Sequence, residues 1–383
     1  MKKVRVIQLI ENISDGGSET QLKNYMLHLD KSKFSCILLT KSIDSASANA
    51  RVLFDHHAPI YSAMIAKCNL FCKVLNKIQR TLIPFEEREK YIQWYIQKKI
   101  LSYKPDVIHV HLKMLHYLLP IADRLQGVKI FYRCASKPER YFNNENELDR
   151  SELEAAQYLI ANNNLQMIAL HNQMRDAINE LFGISNTIVV HNVFDLSKFR
   201  NQSLKIKQEV RKQLGIPLDA LVIGHVGRCF YIKNQSFLVE VFKKVADVNA
   251  KAYLLMIGSG DFSDVILKIE RYELKKQYQI LSNRSDVHML LHAMDVFVFP
   301  SLLEGMPGAL IEAQAAGLKC IASSAITDEA IVSTHAIQMD LADGAQAWAD
   351  IILNDEFNGK PISSLDSFEL KNVLKEVEQL YTA

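Results

Sequence analysis

Short apolar runs rich in β-formers alternate with longer helical patterns along most of the 383 residues, and this alternation narrows the fold more than any other feature. Val4–Ile10, Ser35–Thr40, Val107–Val110 and Lys129–Tyr132 read as strands, followed by Tyr158–Ala161 and Thr187–His191. Helical patterns lie between them, for example Glu19–Leu29 and Glu86–Ser102. A second strand series runs Leu221–Val226, Ala252–Ile257, Gln277–Leu281, Val296–Phe299 and Lys319–Ala322. Strands joined through helices run parallel, with helices covering both sheet faces. The length exceeds one ordinary core, so the chain predicts two α/β doubly wound units with a cleft at their strand ends. The expected boundaries are 1–195 for the first unit, 196–215 for a polar linker, 216–365 for the second unit and 366–383 for a last amphipathic helix.

Hydrophobic residues make up 49% of the chain and charged residues 23%, which is globular composition and excludes a disordered or collagenous chain. The net charge of +2 is unevenly spread. Residues 1–200 hold 27 Lys+Arg against 20 Asp+Glu, while residues 201–383 hold 18 against 23. A basic N-terminal half suits an anionic membrane or acceptor, although an excess of this size also arises by chance. The six cysteines form no C-x-x-C pair and predict reduced thiols, hence a cytoplasmic protein. The apolar start MKKVRVIQLIEN ends at Glu11, too soon for a signal-peptide core, and no apolar stretch approaches the roughly 20 residues needed to span a bilayer.

The most informative segment is Phe297–Ser324, FVFPSLLEGMPGALIEAQAAGLKCIASS. A buried strand ends at Pro300-Ser301, a Gly/Pro-rich turn (Glu304-Gly305-Met306-Pro307-Gly308) follows, and an alanine-rich helix starts near Ala309. Such a helix start presents unpaired backbone N–H groups and a positive dipole end, which suits a phosphate. Glu304 sits in the turn and Glu312 about one helical turn on, placed for a sugar and for ribose hydroxyls. Taken alone, Glu312 reads first as a solvated helix residue, and the strand–turn–helix around it shifts that balance. The second segment is His225–Gln235, HVGRCFYIKNQ, where Gly227 permits a tight strand exit and Arg228 and Lys233 lie in the loop beyond. Fixed cations there would stabilise the charge that develops on a departing diphosphate, though each one alone is also an ordinary surface cation.

At the N-terminus, Ser14-Asp15-Gly16-Gly17-Ser18-Glu19 joins the first strand to a helix, and the paired glycines let a ligand come close. They lack the G-x-G-x-x-G spacing of a dinucleotide site, and no G-x-x-x-x-G-K-[ST] run indicates a P-loop. No D-x-D pair occurs, so the sequence predicts no metal, with Arg228 and Lys233 taking a metal's electrostatic part.

These segments resemble the retaining glycosyltransferases of family 4. PSLLEGMPGALIEAQAAG is similar to that family's P-S-x-x-E-G signature with its E-x7-E pair, here Glu304 and Glu312, and HVGRCFYIKNQ to its G-R loop. Smaller matches run in order: DGGSE at 15–19, HNVFDLSKF at 191–199, LLMIGSGD at 254–261 and SDVHMLLHAMDVFVFPS at 285–301. The resemblance implies the GT-B fold, two Rossmann-like parallel-sheet domains facing a central cleft, with the last helix crossing back to the first domain. It implies that Arg228 and Lys233 contact the donor diphosphate, Glu304 the transferred sugar and Glu312 the ribose. Gly227, Gly305, Met306 and Pro307 would add donor contacts, and Gly17 would lie beside the diphosphate or the acceptor, next to Gly16. Many members carry a histidine after the fourth strand. Here that stretch is Phe131–Ser136, which leaves Arg133 and the neighbouring His111 and His109 as candidate sugar or acceptor contacts.

The resulting expectation is a transferase using a nucleotide sugar (UDP-linked by frequency in the family) and a glycan or lipid-linked saccharide acceptor. It would need no cofactor or metal and bind no nucleic acid. In Ala63–Leu82, apolar residues line one helical face and Lys73, Lys77 and Arg80 the other. That pattern fits a peripheral membrane helix and equally a core-facing helix with a basic outer side. The rival functions are a sugar-nucleotide epimerase of the same fold and a non-catalytic partner subunit.

Overall fold

The computed structural model describes residues 2–64, 84–200, 203–282 and 284–383. The basic amphipathic pattern of Ala63–Leu82 thus falls almost wholly outside the described residues. The chain divides into two compact units, Met1–Val193 with Leu370–Ala383, and Phe194–Glu369.

The first unit is built on a seven-stranded sheet in the order β3-β2-β1-β4-β5-β6-β7. Its strands are β1 (Val4–Ile13), β2 (Phe34–Ile43), β3 (Ile60–Ser62), β4 (Val107–His111), β5 (Lys129–Arg133), β6 (Gln166–Ala169) and β7 (Ile188–Val189). All neighbours pair parallel, with Ile10 beside Thr40 on one side and His111 on the other. Val6, Ile7, Gln8, Leu9 and Ile10 are fully buried on consecutive positions, as a central strand covered on both faces requires. The helices are α1 (Gly17–His28), α2 (Ala48–Asp55), α3 (Phe85–Tyr103), α4 (Glu147–Asn163) and α5 (Asn172–Phe182).

The helix Leu370–Thr382 also belongs to this unit. Val373, Leu374, Val377 and Tyr381 recur at helical spacing and pack with Val6, Tyr25, Phe34, Val107 and Phe131. The Tyr381 hydroxyl accepts from Gln8 Nε2 at 2.9 Å and lies 2.6 Å from His109 Nδ1.

The second unit carries a six-stranded parallel sheet, β10-β9-β8-β11-β12-β13. The strands are β8 (Leu221–Val226), β9 (Ala252–Ile257), β10 (Tyr278–Leu281), β11 (Val296–Phe299), β12 (Lys319–Ser323) and β13 (Ala336–Met339). The helices are α6 (Leu204–Leu214), α7 (Gln235–Val248), α8 (Ser263–Arg271), α9 (Gly308–Ala315) and α10 (Gly344–Asn354). Trp348, Phe242 and Leu238 pack with Ile223 and Leu254 of the sheet to fill the main core.

Two parallel-sheet, Rossmann-like units match the expected architecture, but some elements differ. Tyr158–Ala161 is not a strand: it lies inside α4, whose Ala155, Ala156 and Leu159 are buried at helical spacing. The strands Ile60–Ser62, Gln166–Ala169 and Ala336–Met339 are additional to those read from the sequence. Within residues 196–215, Ser203 caps α6 by accepting from Ile206 N–H, and Gly215 ends it at φ 69°. The α6 residue Arg211 is buried, bonded to the Ala293 carbonyl at 2.9 Å and to Asp295 at 2.7 Å.

Candidate functional site

In the second sheet β8 lies between β9 and β11, so connections leave the centre in opposite directions at the β8/β11 pair. At such a switch point the loops after the two strands flank a crevice at the C-terminal strand ends. The loop after β8 carries Gly227, Arg228 and Lys233, and the loop after β11 carries Glu304 to Pro307. Topology alone therefore brings the two sequence motifs side by side.

Two contacts tie the loops. The Leu302 N–H donates to the Ile232 carbonyl at 2.8 Å, and Lys233 Nζ donates to Glu304 Oε1 at 2.6 Å. Both charged groups are mostly shielded, with side chains 23% and 14% exposed. Lys233 Nζ also stands 5.0 Å from the centre of the Phe299 ring, over its electron-rich face. Arg228 differs: it is exposed. Its backbone carbonyl accepts from Gln235 Nε2 at 3.0 Å, which fixes the loop and leaves the guanidinium outside that bond.

Backbone proximity explains the glycines nearby. A Cβ on Gly258, just past β9, would stand 1.9 Å from the Gly227 carbonyl oxygen. The approach is completed by Gly260, at φ 108°, which bridges Cys229. Sequence reading quoted LLMIGSGD without assigning it a part. Its part is to support the Arg228 loop from the side.

Beyond the turn, Met306 and Pro307 are buried, and Pro307 precedes α9 without a side-chain cap. Glu312 lies four residues after Gly308 on α9 and is partly buried. Burial pushes its carboxyl up to about 7, and the carboxyl has no hydrogen-bond partner among the described residues. Behind the loops, His225 is buried between Phe297 and Phe299, stacked at 6.2 and 5.7 Å. Desolvation holds its imidazole down, at about 4, so it is neutral and accepts or donates as a core group. Ser301, at the exit of β11, is fully buried with an Oγ that has no partner among the described residues. Sequence reading passed over it as part of the signature.

The candidates in the first unit lie apart from this cluster in the chain and in a separate unit. Gly16 is the N-cap of α1, where a Cβ would meet Glu19 Oε2 at 2.3 Å, whereas Gly17 faces open space. His111 is 1% exposed, with Nε2 2.8 Å from Gln8 Oε1. Arg133 is 2% exposed and donates to the His191 carbonyl at 3.0 Å and Asn192 Oδ1 at 2.9 Å.

Comparison with known proteins agrees with this arrangement. Residues 206–339, which hold both loops and α9, match the family described as "Glycosyl transferases group 1". A putative glycosyltransferase, EpsF, of Bacillus subtilis (strain 168) is 28% identical over 365 residues, 93% of this chain and 89% of that protein. The second unit is thus similar to the group 1 glycosyltransferases. The chain is also 31% identical over 256 residues to the Escherichia coli UDP-Gal:alpha-D-GlcNAc-diphosphoundecaprenol alpha-1,3-galactosyltransferase, 64% of each chain. Its fold is GT-B: the crystal structure of Anabaena Alr3699/HepE in complex with UDP superposes with a TM-score of 0.75 at 17% identity, over 99% of this chain and 100% of that chain.

Proposed function

We propose that the protein transfers a sugar from a UDP-linked donor to a glycan or lipid-linked saccharide acceptor, with retention of configuration and without a metal. The observation that carries this reading is the Lys233–Glu304 contact in the same loop as the exposed Arg228, with the Glu312 carboxyl, which has no partner among the described residues, on the helix after the Glu304 turn. In the proposed reaction the bond between C1 of the sugar and the phosphate oxygen breaks. The electron pair leaves with the diphosphate, where Arg228 and Lys233 stabilise the new charge. The acceptor oxygen bonds to C1 on the same face, and its proton passes to the departing phosphate.

Glu304 positions the sugar and holds Lys233, while Gly227, Gly305, Met306 and Pro307 shape the donor crevice with their backbone. Glu312 accepts from the ribose hydroxyls, which gives its dehydrated carboxyl the partners it lacks. In the first unit Gly16 and Gly17 receive the acceptor at the α1 start. His111 and Arg133 hold the ends of β4 and β5 from within. The metal-free reading is supported by the lack of any D-x-D pair and by the two cations at the strand end. The E. coli relative's name gives a UDP-sugar donor and an undecaprenol-linked acceptor, which supports both halves of the reading.

A panel of nucleotide sugars tested for thermal stabilisation checks this reading. A UDP-sugar at about 100 times its Kd adds about 2.7 kcal/mol to stability, and Arg228→Ala removes most of that gain. Stabilisation by no nucleotide sugar, or equal stabilisation of the variant, overturns it.

A further inference from the structure

In the first sheet β1 lies beside β4, and connections leave this pair in opposite directions, so the switch point of that sheet falls between them. The loops after such a pair flank the crevice where parallel sheets take their ligands. One of them holds Gly16 and Gly17. The other, residues 112–118, is bound to α4 by two side-chain pairs in step. Lys113 meets Asp149 and, three residues on in both elements, His116 Nδ1 meets Glu152. Asp149 is 3% exposed and Glu152 is fully buried. Glu152 Oε2 accepts from the Leu115 N–H at 3.0 Å and Oε1 from the His116 N–H at 3.1 Å. Those two bonds already secure the turn Leu115–Tyr117, so the imidazole is a third partner that the turn does not need. Its Nδ1 is fixed on the carboxylate, while Nε2 has no partner among the described residues on a side chain 20% exposed. The Tyr117 ring braces it at 4.0 Å between centres and is itself tied to α3, its hydroxyl donating to Glu89 Oε2 at 2.9 Å.

We propose that His116 is a contact for the acceptor, its Nε2 exchanging a hydrogen bond with a sugar hydroxyl, and that Glu152 is the positioning residue that aims it. A carboxylate on one imidazole nitrogen sets the ring's direction and leaves the other nitrogen to a ligand. A ring ordered in advance avoids the cost that a loose side chain meets on binding. A hydroxyl both donates and accepts, so it suits Nε2 whether or not that atom carries a proton. A phosphate suits the place less well, because the buried carboxylates of Asp149 and Glu152 offset Lys113 and the ring. The contact orients the saccharide and takes no part in the proton transfer to the departing phosphate. The inference rests on the reading of a saccharide acceptor and deepens it by naming the side chain through which the first unit recognises that acceptor.

The ring reports on its own ligand. The full chain, carrying isotope-labelled histidine, is titrated by NMR with a panel of methyl glycosides and short-chain alkyl diphosphate sugars. The His116 Nε2 resonance is assigned by its loss in His116→Gln. At least one saccharide should shift that resonance, and UDP alone should leave it in place. In transfer from a UDP-sugar to that saccharide, His116→Phe should raise the saccharide's KM about tenfold, the effect of one hydrogen bond. UDP binding and the donor's KM should keep their wild-type values. His116→Gln, whose amide reaches close to the place of Nε2, should recover most of the loss, which a purely structural ring would not allow. Circular dichroism checks the fold, and if His116→Phe unfolds, the resonance shift and His116→Gln decide. UDP binding with no saccharide moving the resonance overturns this inference alone, whereas a saccharide shift without UDP binding overturns the donor reading and leaves His116 in place. A shift caused by UDP alone, an unchanged saccharide KM in a folded His116→Phe, or equal rises in both KM values also overturns it.

Discussion

Lys233 Nζ stands 2.6 Å from Glu304 Oε1, although 71 residues separate them in sequence. The contact joins the loops after two adjacent central strands, and it means that Lys233 is already neutralised while Arg228 is not. In the proposed reaction an incoming diphosphate would meet Arg228 as a charge with no ion-pair partner among the described residues, and would compete with Glu304 for Lys233.

Removing either cation should lower turnover without unfolding the chain. Loss of one preorganised charge contact to a developing anion costs about 2.7–4 kcal/mol, so Arg228→Ala and Lys233→Ala should each reduce kcat by about 100-fold to 1000-fold. Steady-state kinetics with circular dichroism as control measures this, and near-normal turnover in both variants removes the clamp from the mechanism.

Glu304→Gln should act on kcat more than on the donor's KM. The amide keeps the shape but drops the charge beside the reacting sugar, and it loosens Lys233. If KM rises while kcat stays at the wild-type value, Glu304 serves ground-state binding instead.

Glu312→Ala should weaken UDP itself. A hydrogen bond to a charged group is worth about 1.5–3 kcal/mol, so titration calorimetry should show UDP binding about tenfold to 100-fold weaker. Unchanged UDP affinity would return Glu312 to an ordinary helix residue.

The same carboxyl gives a signed pH effect on stability. Its folded value of about 7 lies above the ordinary 4.5, so between these the folded state keeps a proton that the unfolded state has lost. Stability from this group is full below about 4.5 and is lost as the pH rises through 7. Glu312→Gln should therefore match the wild type near pH 4 and exceed it by up to about 3 kcal/mol near pH 8. Denaturant melts at both pH values test the crossover, and a constant difference would show that the carboxyl is not dehydrated.

Transfer should survive EDTA, because in the proposed reaction Arg228 and Lys233 offset the diphosphate in place of a metal. Abolition by chelation with rescue by Mg²⁺ or Mn²⁺ contradicts this.

Buried central strands were the legible part of the fold, because runs such as Val296–Phe299 are apolar at every position. Tyr158–Ala161 misled for the same reason: a short apolar run carries no period, and only the burial of Ala155 and Leu159 reveals the helix. Ala336–Met339 was missed because an edge strand, half solvated, has a weak apolar signal. Arg228, Lys233, Glu304 and Glu312 stand out in the sequence through the resemblance of their motifs to a family and the strand–turn–helix around them, because spacing alone says little. The ion pair between motifs could not, since it depends on β8 and β11 being neighbours. The desolvation of Glu312 depends on its packed surroundings, which no local pattern encodes.

The bond from Tyr381 to Gln8 and His109 has a consequence for biosynthesis. Residues 370–383 complete the core begun by β1 and β4, yet the ribosome makes them only after all of residues 194–369. Translated first, the N-terminal unit closes last. Until then Val6, Val107 and Phe131 lack the cover that Val373, Val377 and Tyr381 provide, and the nascent chain carries an open apolar seam through the synthesis of its second half.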